Sequence, residues 1–167
     1  MEKNLWAPWR MAYIKKVNKK NKGCLFCRSL KLKKKTNIFV SSKYSFAMLN
    51  LFPYNNGHVL VAPKRHVGII QKLTDKELMD MLKTTQGVLR LLDKVLKPQG
   101  YNVGMNIGEC SGAGIPTHLH MHIVPRWRAD TNFMPVISGT KVISQSLEDL
   151  YQQLIKQGRK RVKAEKK

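Results

Sequence analysis

The sequence predicts an α+β domain built on an antiparallel sheet. Three observations carry this. An Asn-Gly turn joins two short apolar runs, a capping box opens one long run of helical periodicity, and two further short runs follow before a last helix. Read in order they give β-β-α-β-β-α, the pattern of an antiparallel sheet with helices packed on it. The chain has 167 residues, 43% of them hydrophobic, which suits one globular domain. A domain of this length buries roughly two thirds of its unfolded surface and needs no disulfides.

Residues 1–14 carry Trp6, Pro8, Trp9, Met11 and Tyr13, too apolar for a free tail. The expectation is one domain over 1–167, with 1–22 as an aromatic and basic extension packed on the domain or on a partner subunit. Gly23-Cys24-Leu25-Phe26-Cys27 reads as a tight knuckle, and 31–36 as an exposed loop. Tyr44 to Leu51 is the first strand. Pro53-Tyr54-Asn55-Asn56-Gly57 is the turn, and His58 to Ala62 the second strand, ended by Pro63. Thr74 and Glu77 form the capping box. Leu78, Leu82, Leu89, Leu92 and Leu96, with Met81, Val88 and Val95 beside them, give the core face, and Pro98 and Gly100 stop the helix. Tyr101 to Ile107 is the third strand and His118 to Val124, closed by Pro125, the fourth. Ser146 to Asp149 starts a helix that runs to about Lys156, and residues 158–167 are a frayed basic tail.

No apolar run approaches the roughly 18 residues that span a bilayer. The opening Met1 to Trp6 has no apolar core, so it is not read as a secretory signal. Of three cysteines, two sit as Cys24-x-x-Cys27, a metal or redox pair of a reducing compartment. The protein is expected to be cytoplasmic. Its net charge of +21 concentrates in Lys15–Lys22, Lys31–Lys35 and Lys156–Lys167. Both a polyanion partner, nucleic acid included, and a surface solvated by lysine account for it.

The chemistry concentrates in His118-Leu119-His120-Met121-His122, which holds three of the five histidines. Side chains alternate across a strand, so the three imidazoles share one face while Leu119, Met121 and Ile123 share the core face. Two readings follow: a metal site, or catalysis in which one imidazole attacks and the others bind anions. A nucleophilic imidazole needs one bare nitrogen, with its other nitrogen donating to a fixed acceptor. The small-residue loop ahead, with Gly112, Ala113 and Gly114, can offer backbone amides to an anion. Cys110 is an ordinary small loop residue.

The run His118-Leu119-His120-Met121-His122-Ile123-Val124 resembles the signature of the histidine-triad (HIT) superfamily, and Asn56-Gly57-His58-Val59-Leu60-Val61 resembles its second landmark. Leu5-Trp6-Ala7-Pro8-Trp9-Arg10, Pro125-Arg126-Trp127 and Asp130 to Pro135 resemble the bacterial branch that cleaves diadenosine polyphosphates. The resemblance implies a half-barrel antiparallel sheet with a long helix packed on it, and a homodimer or larger homo-oligomer. It implies His120 as the nucleophile that forms a nucleotidyl-histidine, and His122 as its phosphate partner. The His118 carbonyl orients the nucleophile, and His58 joins the hydrogen-bond network. It implies Asn50 at the ribose, and Asn106, Gly112, Ala113, Gly114 and Trp127 around the nucleotide. Ile115-Pro116-Thr117 stands where animal relatives carry a Gln, in a loop one residue shorter. Phosphate as acceptor makes a phosphorylase and water a hydrolase; the bacterial features favour the phosphorylase. Other HIT chemistries are the nearer alternative, phosphoramidate hydrolysis or removal of adenylate from nucleic-acid ends. A zinc-containing RNA-binding module is the more distant one. Cys24-x-x-Cys27 is half a zinc site, and the resemblance supplies His66 and His118 as the other half, giving a structural Zn2+ against a metal-free thiol pair. Mg2+ accompanying the polyphosphate is the second cation considered.

Overall fold

The computed structural model describes residues 23–32, 36–131 and 142–164, with side chains described as far as residue 159. The aromatic lead over 1–14 and the stretch Asn132 to Pro135 lie outside the described residues.

Two central strands organise the sheet. β2 (Ser45–Leu49) and β3 (Val59–Pro63) pair antiparallel from Leu49↔Val59 to Ser45↔Pro63. All of their residues are buried, so both faces of this pair are covered. Ala47, Leu49, Val59 and Val61 face helices α2 (Asp75–Val95) and α3 (Leu147–Ala164) through Val88, Leu91, Leu92, Leu150 and Leu154. On the opposite face Phe46, Met48, Leu60 and Ala62 pack with Phe26 of helix α1 (Leu25–Lys31). This double cover explains why the strand sequences read as near-continuous apolar runs instead of alternating ones.

β1 (Ile38–Ser41) pairs with β2 at one edge, with an irregularity between Ile38 and Val40. β5 (Met121–Arg126) pairs with β3, and β4 (Gly100–Met105) closes the order β1-β2-β3-β5-β4, an open antiparallel sheet among the described residues. No helix among the described residues is long and apolar enough to cross a membrane.

The structure departs from the sequence reading in several places. The knuckle is the start of a helix, with Cys24 at its N-cap position. β1 is an extra strand; its four residues are too few to show a period. Pro63 is the last residue of β3, whereas Pro125 lies inside β5, which continues to Arg126. Each is tolerated because β3 and β5 pair only over Val59–Val61 and Met121–Ile123, so beyond that each proline has a partner on one side. Leu82 is 52% exposed, and the buried stripe of α2 runs through Met81, Thr85, Val88 and Leu92. Those positions follow the 4-3-4 spacing of one helical face, and Leu82 sits one step round from it. Helix α3 continues past Lys156 to Ala164.

α2 opens on the capping box: Thr74 accepts from the Glu77 amide, and the Glu77 carboxylate accepts from the Thr74 amide. The same carboxylate is held by a two-bond fork from Arg65, at 2.8 and 2.7 Å. The fork ties the segment after β3 to the helix N-terminus. The Arg65 guanidinium, and then the Thr74 amide, hold the Glu77 carboxyl at about 2, against an ordinary value of 4.5. A carboxyl lowered by folding contributes stability above its unfolded value and loses it as pH falls through the folded one. Glu77→Gln is therefore expected to cost about 1–2 kcal/mol at neutral pH. The gap to the parent protein should hold above pH 4.5 and close as pH falls towards 2, which urea titrations across that range measure.

Candidate active site

The site forms on the sheet face away from α2. His122 lies opposite Leu60 in the β3–β5 register, and Leu60 belongs to the face that packs against Phe26. Leu119, Met121 and Ile123 enter the core clusters on the other side. The alternation expected for 118–123 is thus present, although residues 118–120 precede β5 as a lead-in that begins with a bend at His118. That lead-in is fixed by the Leu119 amide donating to the Val67 carbonyl at 2.7 Å. Gly68 allows the crossing, since a Cβ there would sit 2.7 Å from the Pro116 oxygen.

Two neighbouring histidines on this face hold their protons on opposite nitrogens. Nδ1 of His120 lies 2.8 Å from the His118 carbonyl oxygen. A carbonyl only accepts, so Nδ1 carries the proton and Nε2 keeps its lone pair. Burial pushes the His120 imidazole below its ordinary range, more strongly than the bond to His118 raises it. His120 is thereby a neutral imidazole with a bare Nε2.

His122 has the other tautomer, through a chain that starts at a backbone amide. The Tyr54 N–H donates to Nδ1 of His58 at 3.0 Å. Asn50 adds a second donor, its Nδ2 at 3.2 Å, while its Oδ1 accepts from the Phe52 amide. With Nδ1 accepting, the His58 proton sits on Nε2 and is donated to Nδ1 of His122, 2.9 Å away. The His122 proton then sits on Nε2. The Tyr54 ring lies nearly parallel to that of His122, at 8° and 5.7 Å between centroids. One face therefore presents a bare nitrogen on His120 and an N–H on His122, a nucleophile beside a donor for phosphoryl oxygen.

A second cluster adjoins the first. Cys24 and Cys27, three residues apart on the first turn of α1, meet His66 and His118, and their donor atoms all lie within 4.8 Å of one another. Nδ1 of His118 is 3.2 Å from the Cys24 Sγ, 3.6 Å from the Cys27 Sγ and 3.2 Å from Nδ1 of His66. Donors about 2.0–2.3 Å from a shared tetrahedral ion stand roughly 3.3–3.8 Å apart, so the four fit one ion. Nε2 of His118 donates to the Pro63 carbonyl at 2.9 Å, which leaves Nδ1 as the ligand atom. Burial, then Cys24, holds the Cys27 thiol above its ordinary value; a cation would reverse this by stabilising the thiolate. These four residues can hold a metal ion. Phe26, fully buried, separates the clusters, its ring 5.0 Å from both His118 and His120.

The HIT domain model matches residues 31–129. The chain belongs to the HIT family. This HIT chain is 39% identical over 153 residues to AP-4-A phosphorylase of Mycobacterium tuberculosis, covering 87% of itself and 78% of that relative. Over 95 residues it is 38% identical to the asymmetrical bis(5'-nucleosyl)-tetraphosphatase of Schizosaccharomyces pombe, 57% of this chain and 52% of that one. Its fold matches a Zn-bound histidine triad family protein from Mycobacterium smegmatis with a TM-score of 0.68, at 20% identity, over 84% of this chain and 96% of that one.

Among the expected HIT residues, the hydrogen-bonded chain brings together Asn50, His58 and His122, and it joins His120 to the His118 carbonyl. Asn106, Gly112, Ala113, Gly114 and Trp127 stand outside that chain. Asn106 follows β4, Gly112 closes the 3-10 turn Glu109–Ser111 in a left-handed conformation, and Trp127 follows β5 half-buried. Cys110 is exposed in the 3-10 turn. Tyr54 and Phe26 are site residues that the sequence reading missed. Tyr54 acts through a backbone amide, which no residue type signals. Phe26 sits between the two cysteines, a position that could have flagged it. Imidazole 15N spectra of the free protein should show His120 protonated at Nδ1 and His122 at Nε2. Rapid tautomer averaging at both would contradict this geometry.

Proposed function

We propose that the chain cleaves dinucleoside polyphosphates, diadenosine tetraphosphate above all, by nucleotidyl transfer through His120. The observation that carries this reading is the opposed pair of tautomers, bare Nε2 on His120 beside the N–H of His122. Nε2 of His120 attacks the α-phosphorus; a P–N bond forms as the P–O bond to the rest of the polyphosphate breaks, releasing ATP. His122 donates to a non-bridging oxygen as charge develops there. An oxygen of inorganic phosphate then attacks the adenylyl-His120, the P–N bond breaks, and ADP leaves with His120 restored. Asn50 holds a ribose hydroxyl, and Asn106, Gly112–Gly114 and Trp127 line the nucleotide's path. Similarity to AP-4-A phosphorylase over most of the chain supports phosphate as acceptor. The likeness to the yeast tetraphosphatase, over a shorter stretch, supports water.

We assign the Cys24, Cys27, His66 and His118 site to zinc, on its mixed sulfur and imidazole donors. Once bound, the ion supplies a structural cross-link between α1, the segment after β3 and the histidine lead-in, with its four positions filled by protein. Thiolate ligands suit a reducing compartment, in keeping with a cytoplasmic enzyme. Mg2+ belongs with the substrate phosphates. A homodimer is supported by β4, an edge strand whose Val103 is 47% exposed.

Pure protein incubated with diadenosine tetraphosphate should yield ATP and ADP with phosphate present and little product without it. Equal turnover in both conditions would make it a hydrolase; none in either would end the assignment. His120→Ala should lower kcat on the order of 10^4-fold while the fold persists. Elemental analysis should find about one zinc per chain, falling well below that in Cys27→Ser together with a lower Tm. Full activity in the first variant, or no zinc in the parent protein, would refute the respective claim.

A further inference from the structure

The tautomer of His122 traces back to the donors on Nδ1 of His58, the Tyr54 amide and the Asn50 side chain that the Phe52 amide orients, and both depend on the turn that follows β2. The residue after Tyr54, Asn55, is 5% exposed. Its side-chain amide donates to the Pro125 carbonyl at 3.0 Å and to the Asp130 carboxylate at 2.8 Å. Its own carbonyl accepts from the His58 amide at 3.2 Å. The Asp130 side chain is 6% exposed and is gripped by Arg126 at 2.6 and 3.0 Å and by the Trp127 amide at 3.2 Å. Gly57 presses the same turn onto the same strand end. Its φ is +74°, and a Cβ there would run into Leu96 and lie 3.2 Å from Pro125 Cγ. The turn is thus fastened twice to the end of β5, the strand that carries His122.

We propose that Asn55 and Asp130 are positioning residues that set which nitrogen of His122 carries the proton. This rests on the reading of His122 as the phosphate partner. If the turn lifts, Nδ1 of His58 loses the Tyr54 donor and the Phe52 amide no longer fixes the Asn50 side chain; once Asn50 turns its oxygen to Nδ1, that nitrogen can itself take the proton. Nε2 of His58 then accepts, His122 must donate through Nδ1, and its Nε2 offers a lone pair to a phosphoryl oxygen in place of a proton. Attraction at the reacting phosphate becomes repulsion with no group near it removed. The clamp reaches the chemistry through main chain and His58, and touches no substrate.

The test uses the metal-loaded full chain and three variants: Asn55→Ala, Asp130→Ala and Asp130→Asn. Imidazole 15N spectra without substrate read the tautomers; steady-state assays with diadenosine tetraphosphate read kcat and KM. In the two alanine variants His122 is expected to leave its single Nε2–H form. Their kcat should fall about tenfold or more with KM within about twofold. Asp130→Asn keeps an acceptor for Asn55 and the Trp127 amide, and should recover both the tautomer and kcat relative to Asp130→Ala, although its ion pair with Arg126 is lost. A purely structural role would lower Tm and leave the His122 signals unchanged in every variant, which overturns the proposal. Should Asn55→Ala fail to fold, the Asp130 pair decides alone: native tautomers and kcat in Asp130→Ala overturn it equally. The spectra need no turnover, so an inactive parent protein would sink the assigned reaction and leave this inference to be judged on its own.

Discussion

His118 is the junction on which the site depends, because each of its polar atoms is committed. Its Nε2 donates to the Pro63 carbonyl, its Nδ1 faces Cys24, Cys27 and His66, and its carbonyl accepts from the Nδ1–H of His120. Its amide donates to the Ile115 carbonyl. A fully buried residue with this many fixed partners has one conformation. The orientation of the neighbouring imidazole is therefore inherited from a residue whose own ring is turned to Cys24, Cys27 and His66. That is an economical way to hold the proposed nucleophile still, since the cost of ordering is met in the fold before substrate arrives.

The double-covered sheet makes this junction possible. A sheet with one solvated face would leave His118 and His120 wet, and water would compete for every one of these bonds. Phe26 from α1 seals that face, and the cysteines flanking it anchor the seal to the residues it covers. Cover, metal donors and nucleophile are arranged in layers on one side, while α2 and α3 supply the apolar support on the other. The fork between Arg65 and Glu77 links the layers, by tying the segment that carries His66 to the start of α2.

Much of this was legible in the sequence because it rests on patterns of residue type. The capping box, the Asn-Gly turn and the histidine alternation each state a local geometry directly, and the structure contains all three. The metal donor set was legible only in part, as Cys24-x-x-Cys27; His66 came through family resemblance, because its approach to the cysteines depends on tertiary packing. Leu82 was misread because a leucine-rich helix offers several faces of similar hydrophobicity, and only the sheet decides which is buried. The tautomer chain was out of reach. It passes through the Tyr54 amide and the Pro125 carbonyl, and main-chain groups are the same at every position of a sequence.

The opposed protons of His120 and His122 also give the site a handedness. The two non-bridging oxygens of an α-phosphate are prochiral, and a single N–H beside the attacking nitrogen can serve only one of them well. Replacing one oxygen by sulfur would thus yield two diastereomers that the protein treats unequally. In the proposed reaction two successive in-line displacements at phosphorus, with the same nitrogen first entering and then leaving, would return it to its original configuration. On the proposed reaction, a sheet that keeps two adjacent imidazoles in different protonic states would be a stereochemical template for phosphorus.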